Sequence, residues 1–325
     1  MKSILGEEYK GDSKFVARCR KLQSIYRHEI GEEIDPYTDR YGNLHYYGNY
    51  ISNGESPKEG CWKNFLTEYA FNYAKERINP ENKKPYETIE SDRLFNNLLS
   101  SQPMAFNLFC PLRQMLEESP EVATNVIKAA LMGYPIHKVT EVELEFIPEN
   151  YIELTGDKSA MDAIIRFENE DGNRGFIAIE TKYSENLGTN VAYDRDDEGN
   201  KIPRRQSLKA VEELSCFMPD VEKSITEGDT SLTQIYRNFL LSEMYGSKEG
   251  LLPYSIILAP KGHPTTNKEL ESLTDGLRAE YKERIKSVDL EDFVDAIIHN
   301  CPDKYRIVFE RFYDRYLNFA KLKKY

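Results

Sequence analysis

The sequence predicts an α/β fold in which helices cover both faces of one mixed β-sheet. Helical and strand-like patterns alternate over most of the 325 residues, and a chain of this length can bury a large core. Segment 254–259 is almost entirely apolar, which is typical of a central strand covered on both faces. The predicted strands are 139–147, 160–168, 175–183 and 254–259. We therefore expect three layers, with helices before, between and after the strands.

The first part of the chain predicts helices rather than sheet. Residues 13–34 place apolar side chains three or four residues apart, and residues 62–78 form a second predicted helix. Between them, 37–54 is rich in Tyr, Gly and Asn, which favours a loop or short hairpin. Its tyrosines either stack on nucleic-acid bases or pack within a partly buried loop. We predict a helical N-terminal extension over 1–85 and a core domain with terminal helices over 86–325, with a separate small N-terminal domain as the alternative.

Helices are also predicted on both sides of Pro103. Residues 87–99 and 104–116 are helical in pattern, and Pro103 kinks or restarts the helix between them. Pro120 suits the first turn of the next helix. In 139–146 apolar residues alternate with glutamates, and this period of two predicts a strand.

The second half of the chain completes the expected layers. A possible last strand, 286–290, follows the apolar strand 254–259. The predicted helices there are 207–217, 231–245, 267–285, 292–299 and 304–322.

Two apolar segments near the middle of the chain flank a polar run and predict a β-hairpin. In the second segment, the period of two places Glu180 and Lys182 on one face of a strand. If the turn is centred on Asp171, Asp162 of the first strand lies directly opposite Glu180. A turn of three or five residues keeps this register, whereas a two-residue turn would send Asp162 to the other face.

These three side chains have the chemistry of a metal-and-water site. Facing carboxylates repel each other unless a cation neutralises them, and hard oxygen ligands suit Mg²⁺ or Mn²⁺. Such an ion lowers the pKa of a bound water, and Lys182 can orient that water or stabilise charge on a phosphate. The alternative is an exposed hairpin with solvated charges, but both strands are otherwise apolar on both faces. Glu145 and Glu90 either join the site as extra acids or are structural.

Asp162 followed by Glu180-Thr-Lys182 resembles the PD-(D/E)XK nuclease superfamily, with Met161 replacing the proline of the nominal motif. Segments 99–109, 154–162 and 179–185 resemble a stand-alone prokaryotic branch of it. The resemblance implies a restriction-endonuclease-like α/β/α core and a divalent-metal nuclease acting on DNA. It also implies that Asp162 and Glu180 bind Mg²⁺ (or Mn²⁺) and that Lys182 is the catalytic lysine.

The resemblance further suggests substrate-binding residues on the predicted helix 231–245. Gln234 and Arg237 lie one turn apart there, and residues in such a place hold substrate or water in this superfamily. An exposed helix face is the alternative interpretation.

The net charge of −12 excludes a protein that coats nucleic acid through a globally basic surface. The segment 201–209 is basic without any acid, so Arg204 and Arg205 are candidate phosphate contacts. They follow the acidic turn 194–198, and the two segments pair on the surface in the alternative interpretation. An acidic nuclease therefore needs local positive charge or a partner protein that delivers DNA, and double-strand cutting suggests a homodimer.

Cysteine usage and hydropathy indicate the compartment. The five cysteines are scattered without a C-x-x-C pair, which is typical of reduced cytoplasmic thiols, and the five histidines show no zinc-ligand spacing. No apolar run approaches membrane-spanning length, so we expect a cytoplasmic protein without a membrane partner. Two functions remain open: an active nuclease, or a nuclease-fold module that binds nucleic acid or protein and whose site is residual.

Overall fold

The computed structural model describes residues 4–58, 60–82, 86, 88–187, 191, 193–195, 197–199 and 201–324. It confirms the mixed α/β fold, with a five-stranded mixed sheet between layers of helices. The strands are β1 (Tyr37–Thr38), β2 (Leu44–His45), β3 (Lys138–Phe146), β4 (Met161–Glu168), β5 (Arg174–Thr181), β6 (Tyr193–Arg195), β7 (Lys201–Pro203), β8 (Leu252–Ala259) and β9 (Ile285–Asp289).

The helices surround this sheet in sequence as well as in space. They are α1 (Lys14–Glu29), α2 (Glu68–Ile78), α3 (Ser91–Asn96), α4 (Ser101–Glu118), α5 (Pro120–Ala130), α6 (Tyr151–Leu154), α7 (Arg205–Leu214), α8 (Pro219–Glu227), α9 (Gln234–Glu249), α10 (Thr266–Gly276), α11 (Ala279–Lys282), α12 (Leu290–Asn300) and α13 (Asp303–Tyr316), followed by a 3₁₀ helix (Phe319–Lys324). No helix in the described part of the chain is long and apolar enough to cross a bilayer.

The central sheet has the strand order β3-β4-β5-β8-β9. Strands β3, β4 and β5 pair antiparallel, and β8 and β9 continue the sheet in parallel with β5. A parallel pair needs a crossover, and the segment that contains α7, α8 and α9 connects β5 to β8. Strands β1 and β2 form a small hairpin, as do β6 and β7.

Alternating side chains of β4 and β5 enter different cores. Ile165 and Ile177 belong to the core that α4, α5, α12 and α13 cover. Ile164 and Phe176 face the opposite layer, where α7 and α9 pack. The apolar character of both strand faces therefore arises from burial between two helical layers, as the sequence predicts.

The β4–β5 hairpin has the register that the site requires. Its loop is five residues long, 169–173, and the pairing runs from Glu168 opposite Arg174 to Ala163 opposite Ile179. One more step along the ladder places Asp162 opposite Glu180. The Asn169 side chain fixes the loop by accepting hydrogen bonds from the N–H groups of Asp171 and Asn173.

Some predicted helices begin or end elsewhere. The helix predicted over 62–78 begins only at Glu68, because the Thr67 hydroxyl caps it by accepting a hydrogen bond from the Ala70 N–H at 3.1 Å. Pro103 does not kink a helix, because it lies in the first turn of α4, where its missing N–H costs no hydrogen bond. The preceding helix, α3, is correspondingly short.

Similar differences occur towards the C terminus. The helix predicted over 267–285 ends at Gly276, and only the short α11 follows before β9. The last predicted helix ends at Tyr316 and gives way to the 3₁₀ helix. Helix α8 was not predicted; its first residue is Pro219, and one of its residues is buried. A helix with so little apolar surface gives a weak periodic signal.

The N-terminal elements share a core with the rest of the chain. Cys19 of α1 and Phe71 of α2 lie in the same apolar cluster as residues of α4 and α13. The division of the chain after residue 85 stays a prediction. In the tyrosine-rich segment, the rings of Tyr37 and Tyr50 stack with centroids 5.1 Å apart, whereas Tyr41 is 74% exposed.

Candidate active site

The end of the β4–β5 hairpin brings two carboxylates to the same face of the sheet. Asp162 on β4 is half-buried, and Glu180 on β5 is 8% exposed. One Asp162 oxygen, Oδ2, accepts hydrogen bonds from both the N–H and the hydroxyl of Thr181, each at 2.7 Å. Because Thr181 follows Glu180 on β5, these hydrogen bonds anchor Asp162 beside Glu180.

The electrostatics of Asp162 reflect crowded negative charge. Burial, and then the carboxylates of Glu180 and Glu145, raise the pKa of Asp162 well above its ordinary value. The ammonium of Lys182 and the hydrogen bond from Thr181 act in the opposite direction but do not outweigh them. A cation bound here would remove the repulsion that opposes ionisation.

Lys182 follows β5 and forms a buried ion pair with its neighbour. Its Nζ lies 2.7 Å from Oε1 of Glu180 and donates a hydrogen bond to Oε1 of Gln234 at 3.0 Å. The backbone of Lys182 is held in place because its N–H continues the β5–β8 pairing by donating to the Leu258 carbonyl. Burial acts to lower the pKa of Lys182, but the carboxylates of Glu180 and Asp162 together raise it.

Helix α9 supplies two amides that grip the Glu180 carboxylate. Gln234 donates to Oε1 at 2.8 Å, and Asn238 donates to Oε2 at 2.7 Å. Gln234, predicted from the sequence, thus lies in the site and bridges Glu180 and Lys182. Asn238 was missed, although its position one helical turn after Gln234 is a signal that could have indicated it.

Arg237 points away from this group into a separate cleft. Its Nε lies 2.7 Å from Oδ2 of Asp157, and Arg204 approaches the same oxygen at 3.8 Å. Arg205 also lines the cleft, which has a volume of about 790 Å³. The structure therefore brings the three predicted arginines together, with α9 linking their cleft to Gln234.

The cleft is locally basic in an acidic protein. Lys158 and the three arginines contribute four positive charges to its lining, against two from Asp157 and Asp194, which leaves a net charge of +2. The alternative of surface pairing is also partly realised: Arg204 lies 3.9 Å from Asp194, whose Oδ2 accepts the Arg205 N–H. Within the acidic turn 194–198, residue 196 lies outside the described residues.

The two remaining candidate acids occupy different places. Glu145, at the end of β3, is 6% exposed and close enough to Asp162 to raise its pKa. Glu90 is exposed at the N-cap of α3, where its side chain makes no capping hydrogen bond. The structure thus brings Glu145 to the carboxylate pair and leaves Glu90 on the surface.

Glu185 connects the Lys182 turn to the N terminus of α4. Its Oε1 accepts hydrogen bonds from the N–H and hydroxyl of Ser101, at 2.8 and 3.1 Å, and from Arg93 at 3.3 Å. The pKa of Glu185 is lowered. Burial acts to raise it, but the Ser101 N–H and the charges of Arg93 and Lys182 outweigh burial. Sequence reasoning gave no role to Glu185, because its partners lie 84 and 92 residues away.

The oxygen ligands that these residues offer suit a hard divalent cation. Asp162, Glu180 and Glu145 offer carboxylate oxygens, and the amides of α9 add further polar groups to a buried site. They do not converge without an ion: among the described residues, no three His, Cys, Asp or Glu side chains form a ready-made ligand group. An ion would therefore have to displace existing contacts, above all the Lys182–Glu180 ion pair.

Comparison with known proteins identifies one family for the chain. A family model described as the PD-(D/E)XK nuclease superfamily matches residues 10–318. No curated protein and no solved structure matches the chain.

Proposed function

The chain belongs to the PD-(D/E)XK nuclease superfamily, and on this premise we propose that it hydrolyses phosphodiester bonds in DNA with a divalent metal ion, Mg²⁺ or Mn²⁺. The observation that carries the proposal is the facing pair of carboxylates, Asp162 and Glu180, with Lys182 beside them. Within the described part of the chain, Asp162 has hydrogen-bond donors but no ion-pair partner. The carboxylates of Glu180 and Glu145 crowd Asp162, and a cation beside it would remove that repulsion.

We assign the ion to Asp162 and Glu180, whose oxygens are of the type that Mg²⁺ and Mn²⁺ prefer. When bound, a divalent ion polarises a phosphoryl oxygen and lowers the pKa of water at the site. Asp162 stays oriented by Thr181, which holds Oδ2 and leaves Oδ1 for a ligand role. Glu180 would be held by the Asn238 hydrogen bond on Oε2, and its ion pair with Lys182 would give way to the ion.

Lys182 then becomes available for the phosphate or the attacking water. Its charge is wrong for a cation ligand, but an ammonium released from Glu180 stabilises negative charge that develops in the transition state. Gln234 contacts both Glu180 and Lys182, so its amide would hold the two side chains in place while their ion pair gives way to the ion. This contact explains why a glutamine on α9 suits the reaction better than an apolar residue would.

The basic cleft provides the local positive charge that an acidic nuclease needs. We propose that Arg204, Arg205 and Arg237 contact phosphates of the strand flanking the scissile bond, together with Lys158. The net charge of +2 in the cleft contrasts with −12 for the whole chain, so nucleic acid is directed to this part of the surface.

Two further features belong to the proposal. Cutting both strands of a duplex needs two sites, which a homodimer or a partner protein would supply. All five cysteines are free thiols, as expected in the reducing cytoplasm of a prokaryotic cell.

The second candidate function is a nuclease-fold module that binds nucleic acid or protein without cutting. The net charge of −12 favours it, because such a chain binds phosphate backbones weakly without help. The Lys182–Glu180 ion pair also favours it, since it neutralises one of the two carboxylates without a metal.

A cleavage assay tests the first function against the second. Purified protein is incubated with single-stranded DNA, duplex DNA and RNA in Mg²⁺, in Mn²⁺ and in chelator. We expect metal-dependent cleavage of DNA that Asp162→Asn abolishes. Asp171→Asn is the matched control, because it makes the same chemical change in the exposed hairpin loop. Cleavage that survives Asp162→Asn would belong to another site or to a contaminant, and binding without cleavage would favour the second function.

A further inference from the structure

Glu145 has a backbone conformation that sets it apart within β3. Its φ is +51°, in the left-handed region that a residue with a side chain seldom adopts in a strand. The usual alternation breaks at this point. Leu144 enters the core that α4, α5, α12 and α13 cover, whereas Phe146, two residues later, packs against the core on the opposite face of the sheet. Glu145 therefore lies where the strand switches faces.

The register places this switch beside the carboxylate pair. Leu144 pairs with Ala163 and Phe146 pairs with Met161, so Glu145 lies opposite Asp162 across the β3–β4 ladder. Asp162 in turn lies opposite Glu180 across β4–β5. Three neighbouring strands thus present one acid each along a single row at the same edge of the sheet.

Gln102 gives an independent indication that this place accepts a ligand. Its Nε2 donates to Oε1 of Glu145 at 2.9 Å, while its own Oε1 is buried and has no hydrogen-bond partner among the described residues. The side chain is 6% exposed. A buried carbonyl oxygen without a donor is costly, and a water from a cation's hydration shell would satisfy it.

The charges of the row also match a divalent ion. When all three are ionised beside a cation, Glu145, Asp162 and Glu180 contribute three negative charges against the ammonium of Lys182, a net charge of −2. Arg77 lies near Glu145, but it donates hydrogen bonds to the carbonyl oxygens of Leu144 and Glu145 and so holds the strand.

Glu145 is also the acid of the row that faces a second opening. It lines a cleft of about 430 Å³ at the edge of β3, together with Glu141 and Glu143. Arg113 fixes this edge by donating to the Val142 carbonyl at 2.8 Å. A cation in that cleft meets negative charge before it reaches Glu145.

We infer that Glu145 is the third acid of the cation site, so that β3, β4 and β5 each contribute one carboxylate to holding the ion. This inference rests on the proposed function, because it requires that Asp162 and Glu180 bind a cation. Since the three acids do not form a ready-made ligand group, the Glu145 carboxylate acts either on the ion itself or on its hydration water. In both cases its charge raises the affinity for the ion.

Mn²⁺ binding to the full chain without nucleic acid tests the inference. Free Mn²⁺ is measured by electron paramagnetic resonance during titration of wild type, Glu145→Gln and Glu143→Gln. The last variant is the matched control, because it removes the same charge from the same strand and cleft. We expect Glu145→Gln to weaken the affinity about 10–100-fold, the scale for losing a group that supports a metal site, and Glu143→Gln to change it less than about threefold.

Equal affinity of Glu145→Gln and wild type would overturn the inference while leaving the proposed function intact. A wild type that binds no Mn²⁺ would instead overturn both. If Glu145→Gln does not fold, paramagnetic broadening in the wild-type protein replaces it. Bound Mn²⁺ should broaden the side-chain amide resonances of both Gln102 and Asn238; broadening of Asn238 alone would place the ion away from Glu145.

Discussion

Replacing Lys182 by methionine separates the structural role of its ammonium from its chemical role. The change keeps most of the side-chain volume and removes the charge, so that packing around the 7% exposed side chain is largely preserved. What it breaks is the 2.7 Å ion pair with Glu180 and the hydrogen bond to Gln234. The Glu180 carboxylate then remains buried without a cation.

The expected effect on stability follows from that uncompensated charge. Removing one partner of a buried ion pair costs about 3–5 kcal/mol, and the two amide donors that remain on Glu180 favour the lower end. At about 2 cal/mol/K of unfolding entropy per residue, the 325-residue chain loses about 1.5 °C per kcal/mol. We therefore expect the metal-free variant to melt about 4–5 °C below wild type, and Mg²⁺ to restore part of the difference by taking the place of the ammonium beside Glu180.

The effect on catalysis is measured separately. Losing one electrostatic stabiliser of a transition state costs about 10²–10³-fold in rate, so single-turnover cleavage with saturating enzyme should fall by at least two orders of magnitude. Mn²⁺ binding should persist, because Lys182 is not a ligand. An unchanged melting temperature without metal would refute the role of the ion pair. A saturated rate equal to wild type, with only DNA affinity lost, would make Lys182 a phosphate anchor and favour the binding-module function.

Two further predictions concern the cleft and a buried acid outside the site. Arg204→Ala combined with Arg205→Ala should weaken DNA binding and reduce the slope of log affinity against log salt by up to about 2, while single-turnover cleavage at saturation stays unchanged. Binding titrations at several salt concentrations measure the slope, and an unchanged slope would exclude phosphate contacts by these arginines. Burial raises the pKa of Glu243 from 4.5 to about 7 despite its ion pair with Arg284, so the folded state holds the proton more tightly than the unfolded state. The free energy of unfolding should therefore fall by about 2–3 kcal/mol as the pH rises from about 4.5 to 7, and this loss should be absent in Glu243→Gln, as urea denaturation across that range would show.

Local patterns predicted the sheet and the placement of Asp162, Glu180 and Lys182, because both depend on the period of two along a strand. Alternation along β5 determines that Glu180 and Lys182 share a face, and the polar run around Asp171 determines the register that brings Asp162 opposite. Gln234 was predicted through the family resemblance, and the spacing of one helical turn related it to Arg237. These relations involve neighbouring strands or one helical turn, which a sequence displays directly.

The rest depends on contacts between distant segments or on backbone geometry that leaves no pattern. Glu145 was a candidate from the sequence, but its left-handed backbone conformation and its place opposite Asp162 are visible only in the structure. The role of Glu185 depends on its hydrogen bond from Ser101, which lies 84 residues earlier in the chain. The onset of α2 was misplaced because a single hydroxyl, that of Thr67, decides where the helix begins.

The charge distribution explains how an acidic chain can handle an acidic substrate. The carboxylate row repels phosphate as long as no cation is bound, whereas the adjoining cleft, with its net charge of +2, attracts it. On the proposed function, a strand held in the cleft alone would therefore be kept from the reacting groups until a divalent ion offsets the row. On the same proposal, a divalent ion would offset the net negative charge of the row and would release Lys182 from Glu180. Because both effects would follow from one binding event, the separation of acidic row and basic cleft would make the approach of the phosphate conditional on the metal. A uniformly basic surface would bind nucleic acid without that condition.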